Sequence, residues 1–296
     1  MTAEYVLISV SDIEISESFK KDLGQALDRL QFKIVRYEDK KNTYSFISFV
    51  TLNGTIHSLN LLNESLVQLS AVYRIDIGLI PKNIFYAKKG LVIFDMDSTL
   101  ITAEVIDEMA SVHGVGEKVK LITAKAMNGE LNFDQSLTER VSLLKGFHRR
   151  HMENIMRGLQ FTPGTSQFLH ILRSLGIKTA IASGGFQYFA KNIQAQLNMD
   201  YVFANELEFM GDELTGKIKG PIVNAQTKEK IVLDLAQLEG LSLEQVVAIG
   251  DGANDIPMLL KAGLGIAIHA KEKVQKSAHY RINFGPMTHA LSFMNI

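Results

Sequence analysis

The string Phe94-Asp95-Met96-Asp97-Ser98-Thr99 sets two carboxylates two positions apart at the end of an apolar run. Residues i and i+2 of an extended chain point the same way, so Asp95 and Asp97 can face one site. Adjacent carboxylates repel, so a cation must offset them or one must stay protonated. An oxygen-ligated Mg²⁺ suits the pair, because that ion takes few carboxylates and keeps waters. Any polar strand exit carries similar residues, and D-x-D-x-T alone is only a pointer. Three other stretches add weight. Ala182-Ser183-Gly184-Gly185 offers a hydroxyl and backbone amides just before a helix, a natural phosphate cradle, though a plain glycine turn has the same letters. Lys228 opens a helical pattern, where the macrodipole favours an acid and where most lysines are merely solvated. Gly250-Asp251-Gly252-Ala253-Asn254-Asp255 is a second acidic exit from an apolar run. Asp251 can complete a metal site there, and the glycines let backbone approach a ligand closely. Together, these strand ends and one lysine converge on a phosphate and a metal.

Such residues need strands that end side by side. Leu91–Phe94 and Val246–Ile249 are unbroken apolar runs, the pattern of strands buried on both faces of a parallel sheet. Strands are also predicted at Ile177–Ala182, Tyr201–Phe203 and Gly265–Ile268. Helices are predicted at Phe186–Leu197, Lys228–Leu238 and Ile256–Ala262, with a hairpin over Glu206–Lys219. This alternation predicts an α/β fold with a doubly wound, parallel, Rossmann-like sheet. Ligands in such sheets bind outside the carboxyl ends of the strands. Residues from about 103 to 160 read as helix only, so they are expected to form a helical cap inserted after the first strand. The front of the chain reads β-α-β-β-α-β, a small ferredoxin-like α+β unit. Its strands fall at Tyr5–Val10, Phe32–Tyr37, Tyr44–Leu52 and Tyr73–Ile80, with a turn at Glu38–Asn42. Its helices run from Glu17 to about Leu30, capped by Ser16, and over Leu61–Gln68. Pro81–Gly90, with its Pro, Asn and three Lys, reads as a linker. The expected domains are therefore 1–82 and 83–296.

Composition narrows the chemistry. The chain has 296 residues, 31 Lys+Arg against 32 Asp+Glu, and a formal net charge of −1. That balance gives no basic field for nucleic acid. There is no cysteine, which removes thiol catalysis, thiolate zinc sites and disulfides. The eight histidines show no H-E-x-x-H spacing and there is no Walker-type loop. Phe147–His151 is a small basic patch, read as a solvated loop. No apolar run approaches the length of a bilayer span, and MTAEYVLISV has no basic region before its apolar residues. A cytoplasmic protein with no membrane or nucleic-acid partner is expected.

The motifs FDMDSTLITAEVIDE, SGGF, Lys228 and GDGANDIPML occur in that order. Over about Gly90 to Ile296 the chain resembles the haloacid dehalogenase superfamily and, within it, the phosphoserine phosphatase family. The resemblance implies that Asp95 is a nucleophile forming an aspartyl-phosphate. It makes Asp97 the general acid and then the base. It implies Mg²⁺ held by the Asp95 carboxylate, the Asp97 backbone carbonyl and Asp251, with Asp255 in support. Ser183, Gly184, Lys228 and Asn254 would bind phosphate oxygens. Glu104 and Arg140 would read the ammonium and carboxylate of O-phosphoserine, and Met127 and Phe133 would close over it. Taken singly, the first two are an ordinary solvated helix face and the last two ordinary helix-bundle core. The front unit is similar to ACT-type regulatory domains. Two alternatives stay open. One keeps the chemistry on phosphohomoserine, phosphothreonine or another small phosphomonoester, or transfers the phosphoryl group to an alcohol. The other is an amino-acid sensor with a vestigial catalytic half. Open sheet edges in the front unit suggest a homodimer.

Overall fold

The computed structural model describes residues 3–30, 32–41, 46–54 and 56–296. The front unit runs β1 (Ala3–Ser11), α1 (Glu17–Arg29), β2 (Lys33–Lys41), β3 (Phe46–Gly54), α2 (Ile56–Tyr73) and β4 (Asp76–Pro81). Its strands make an antiparallel sheet of order β2-β3-β1-β4. The Ser16 hydroxyl accepts from Phe19 N at 3.2 Å and starts α1. Alternation along β1 then divides its side chains. Leu7 packs with Phe19, Leu23, Leu62 and Leu66 beneath the two helices. Val6, Ile8 and Val10 point the other way, into the core shared with the rest of the chain. The predicted turn at Glu38–Asn42 is instead strand as far as Lys41, which pairs with Phe46. Asn42 and Tyr44 lie outside the described residues. Helix α2 overruns the predicted Leu61–Gln68 at both ends, so β4 starts only at Asp76.

Pro81–Gly90 is not a free linker. It contains α3 (Lys82–Tyr86), which buries Phe85 against Phe49, their ring centres 5.6 Å apart. Lys89 is buried too, donating to the carbonyls of Ile84 and Ala87. Loop-like composition is overridden there by burial of one aromatic ring and by capture of the lysine on backbone oxygens.

The body opens with β5 (Leu91–Phe94). The cap follows as α4 (Val105–Val112), α5 (Gly116–Met127), α6 (Phe133–Ser142) and α7 (Arg149–Gly158). Next come α8 (Thr165–Ser174), β6 (Lys178–Phe186), α9 (Gln187–Leu197), β7 (Tyr201–Met210), β8 (Glu213–Lys219) and α10 (Ala225–Leu238). The chain ends through β9 (Val246–Gly250), α11 (Ile256–Lys261), β10 (Leu264–Ile268), α12 (Glu272–Ser277), β11 (Tyr280–Ile282) and α13 (His289–Phe293). The second sheet has the order β11-β10-β9-β5-β6-β7-β8 and is parallel except for the β7–β8 hairpin. From β5 the chain builds outward on one side, then returns to the other side of β5 with β9. The carboxyl ends of β5, β6 and β9 therefore meet where the strand order reverses, the place such sheets hold ligands. On the cap, a capping box at Asn132 and Gln135 fixes the start of α6, and with it the stations of Phe133 and Arg140.

Helix α13 docks on the front sheet. The Phe293 ring fills the space that any side chain at Gly78 would need. Buried Asp76 accepts from Asn283 N, Phe284 N and Gly285 N at 2.7, 3.1 and 2.9 Å. His289 lies between Asp76, 2.8 Å from Nδ1, and Asp12, 3.0 Å from Nε2. Burial disfavours the imidazolium, yet the two aspartates outweigh burial and raise the His289 pKa above its usual value. Among the described residues no helix is long and apolar enough to cross a membrane.

Candidate active site

Asp95 N donates to the Ile249 carbonyl at 2.9 Å, so the residue after β5 is still held against β9. The Asp95 side chain is buried, with Oδ1 2.7 Å from Met96 N and 2.8 Å from Lys228 Nζ. Lys228, projecting from α10, is fully buried and also reaches Asp255 Oδ1 at 2.6 Å. Burial alone would lower its pKa. The attraction of Asp255 and Asp95 reverses that sign and keeps the ammonium charged. Asp255 Oδ2 accepts from Asp251 N and Gly252 N at 3.1 and 2.8 Å, so both its oxygens are engaged. Thr99 Oγ1 donates to Asp251 Oδ1 at 3.0 Å.

Oxygens of Asp95, Asp251 and Asp255 lie within 4.8 Å of one another. Burial, then the charges of Asp95 and Asp255, push Asp251 up to about 7. Burial and Asp95 likewise push Asp255 up to about 7, against the pull of Lys228. Three buried carboxylates against one lysine leave an excess of negative charge. That donor set fits a divalent, oxygen-loving cation.

Past Asp95 the backbone turns sharply. Ser98 adopts φ +55°, a left-handed conformation that is unusual for serine. The turn lets Asp97 Oδ1 accept from Val105 N at 3.4 Å and lets Ser98 Oγ donate to Glu104 Oε1 at 2.9 Å. Burial, then the charges of Glu104 and Asp95, raise the Asp97 pKa well above the ordinary range. Opposite, the buried Ser183 Oγ accepts from Gly185 N at 2.9 Å. Asn205 on β7 donates to the Gly184 carbonyl and accepts from Val223 N, both at 2.8 Å. A Cβ at Gly185 would sit 2.6 Å from Asp97 Oδ2, and one at Gly184 would sit 2.7 Å from the Phe133 ring. Glycine at both positions lets the carboxylate and the ring approach the backbone.

These groups surround a pocket of about 260 Å³, closed on the cap side by Glu104, Phe133 and Arg140. Burial lowers the Arg140 pKa, opposed by the charges of Asp107, Glu104 and Asp97. Burial raises that of Glu104, opposed by Lys271, whose Nζ is 4.0 Å away. The pocket thus offers a cation and an anion from the cap beside a cluster of acid, hydroxyl and amide groups from the body.

A family model for haloacid dehalogenase-like hydrolases matches residues 90–263, from just before β5 to just before β10. The chain belongs to the haloacid dehalogenase-like hydrolases. It is 47% identical over 204 residues to the phosphoserine phosphatase of Archaeoglobus fulgidus, a match covering 69% of this chain and 59% of that protein. It is 43% identical over 231 residues to the probable phosphoserine phosphatase of Schizosaccharomyces pombe, covering 77% and 78% of the two chains. A solved haloacid dehalogenase family hydrolase from Salmonella enterica serovar Typhi superposes over 98% of both chains, with TM-score 0.87 at 31% identity.

In this haloacid dehalogenase-like hydrolase, Asp95, Asp97, Glu104, Phe133, Arg140, Ser183, Gly184, Asp251 and Asn254 all line the one pocket. Lys228 and Asp255 stand behind it, joined to Asp95. Met127 does not line it. It ends α5 at 75% exposure, one turn past Thr123, the α5 residue that does reach the pocket. Sequence reasoning missed Thr99, Asn205 and Lys271. Thr99 was visible inside the D-x-D-x-T string. Lys271 follows β10, the strand next to β9, and its N donates to the Asp251 carbonyl at 3.3 Å. Asn205 gave no signal, being one polar residue within a strand.

The crowded carboxylates set a pH dependence. Asp251 and Asp255 keep protons in the metal-free fold up to about pH 7 but lose them near ordinary carboxylate values when unfolded. The folded state then binds more protons across that interval, so its stability falls as pH rises through it. His289, with its pKa raised in the fold, adds a loss of the same sign. Metal-free protein should therefore melt several degrees lower at pH 8 than at pH 6 in calorimetry. An added divalent cation should raise the midpoint more at pH 8. Equal melting at the two pH values would contradict the crowding.

Proposed function

We propose that this chain is a Mg²⁺-dependent phosphoserine phosphatase that hydrolyses O-phospho-L-serine to L-serine and phosphate. The observation that carries the reading is a single pocket joining the Asp95–Lys228 ion pair to Glu104 and Arg140. A carboxylate and a guanidinium are the partners an amino acid's ammonium and carboxylate need. The name shared by the Archaeoglobus and Schizosaccharomyces relatives supports it.

Asp95 attacks phosphorus, and the bond from phosphorus to the serine oxygen breaks. Asp97, held protonated to higher pH than an ordinary aspartate, gives its proton to the departing oxygen. As a carboxylate it then takes a proton from water. That water adds to phosphorus, the acyl-phosphate bond breaks, and Asp95 and phosphate are freed. Ser183, the Gly184 backbone, Asn254 and Lys228 offset charge on the phosphoryl oxygens. Asp95, Asp251 and the Asp97 carbonyl would hold Mg²⁺, which supplies further charge neutralisation when bound. Asp255, with both oxygens engaged, positions Asp251 and Lys228. The reaction belongs in the cytoplasm, on a small phosphomonoester, and any homodimer would form through the front unit.

Phosphate release with Mg²⁺ across a panel tests the reading. O-phospho-L-serine should exceed phosphohomoserine, phosphothreonine and p-nitrophenyl phosphate in kcat/KM, the last by roughly 10³-fold. Arg140→Ala should lower kcat/KM for phosphoserine by about 10²-fold and leave p-nitrophenyl phosphate within a few fold. Preference for another substrate would reassign the activity. No release from any would favour a sensor.

A further inference from the structure

Between α2 and the β11 end of the body lies a second cleft of about 480 Å³, larger than the catalytic pocket. Domain junctions are where small-molecule sites gather, and useful pockets span about 300–1,000 Å³. The front unit supplies an apolar wall, with Leu66, Ile77 and Leu79. The body supplies Arg281 from β11, Glu272 and Lys276 from α12, and His279 between them. Lys276 is already paired with Glu272 on its own helix. Arg281 is not paired in this way. It is half-buried, donating from Nε to the Gln275 carbonyl and from a terminal nitrogen to the Ala278 carbonyl at 3.4 Å. Among the described residues no carboxylate lies within ion-pair distance of it, and burial alone acts on its basicity. A desolvated guanidinium without a counter-ion, facing a cavity, is matched by an anion able to accept its remaining donors. The opposite wall requires that anion to carry an apolar body.

We propose that this cleft is a ligand site for a small organic monocarboxylate, its carboxylate on Arg281 and its apolar chain against Leu66, Ile77 and Leu79. Branched four- or five-carbon acids match that chemistry. Helix α12 and the residue that precedes it connect the cleft to the catalytic pocket. Gln275 and Lys276 of α12 line the cleft, and Lys271, immediately before α12, lines the pocket.

Calorimetric titration of the full chain with isovalerate tests the site, with isovaleramide as the uncharged control and inorganic phosphate present to fill the catalytic pocket. Isovalerate should bind with Kd on the order of 1 mM or tighter. The amide should bind at least about tenfold more weakly, as should isovalerate to Arg281→Gln. Val67→Trp, on the exposed rim of the cleft, should block binding without altering Arg281. The proposal falls if isovalerate gives no heat up to about 20 mM, or if the amide binds equally well. Undiminished binding to Val67→Trp would place the carboxylate elsewhere and also overturn it.

Discussion

Turnover of O-phospho-L-serine by Asp95→Asn is expected to drop by roughly 10⁴-fold or more, with the fold intact. Asparagine keeps the shape of the side chain and an oxygen for the bond from Met96 N. It lacks the anion that attacks phosphorus. The loss should come without a stability penalty. Asp95 is the largest electrostatic burden on Asp251 and Asp255, after burial itself. Its neutralisation should let both ionise more easily, while Lys228 retains Asp255 as a partner. Metal-free Asp95→Asn should therefore melt no lower than wild type at pH 8. Phosphate release within tenfold of wild type would remove Asp95 from the nucleophile's place.

Lys228→Met should damage both stability and turnover. Removing the one cation between two buried carboxylates leaves uncompensated charge, a loss of about 3–5 kcal/mol in comparable buried pairs. The sign with pH follows from the same contacts. Without Lys228, which pulls the Asp255 pKa down, Asp255 holds its proton to higher pH, so the variant loses stability more steeply as pH rises. Denaturant unfolding should show a gap from wild type that widens from pH 6 to pH 8, and a divalent cation should narrow it. Loss of charge neutralisation on the phosphoryl group should also lower kcat by about 10²–10³-fold. A gap independent of pH would mean that Lys228 contributes packing alone.

The parallel sheet was legible because β5 and β9 are short, unbroken apolar runs ending in polar exits, the pattern of strands buried on both faces. The strand exits then named the residues around the pocket, since in a sheet of this order their carboxyl ends meet. The role of Lys228 was not legible from its neighbours. A lysine early in a helix is normally solvated, and only the tertiary fold brings Asp95 and Asp255 to it, from 133 and 27 positions away in the sequence. The place given to Met127 came from the resemblance alone, and whether a cap residue overlooks the pocket depends on where its helix ends: α5 stops with Met127 exposed. Pro81–Gly90 misled because turn composition says nothing about Phe85 finding a buried place. The short β11 and α13 carried too few residues for periodicity to register. Their positions depend on Asp76 and on the front sheet, more than 200 residues earlier.

The contact of Phe293 with Gly78 has a consequence for how the molecule is made. During synthesis the front unit leaves the ribosome first, and its helices can cover one face of its sheet at once. The other face, with Val6, Ile8 and Val10, belongs to a core completed by residues near 290. Apart from the part that α3 covers with Phe85, that face waits while about two hundred further residues are translated, roughly ten to forty seconds at ordinary elongation speeds. Asp76 waits equally long for the backbone amides of residues 283–285. The seam is thus among the last structures to form, and during that interval the exposed sheet face is open to chaperones and to misassociation with neighbouring nascent chains.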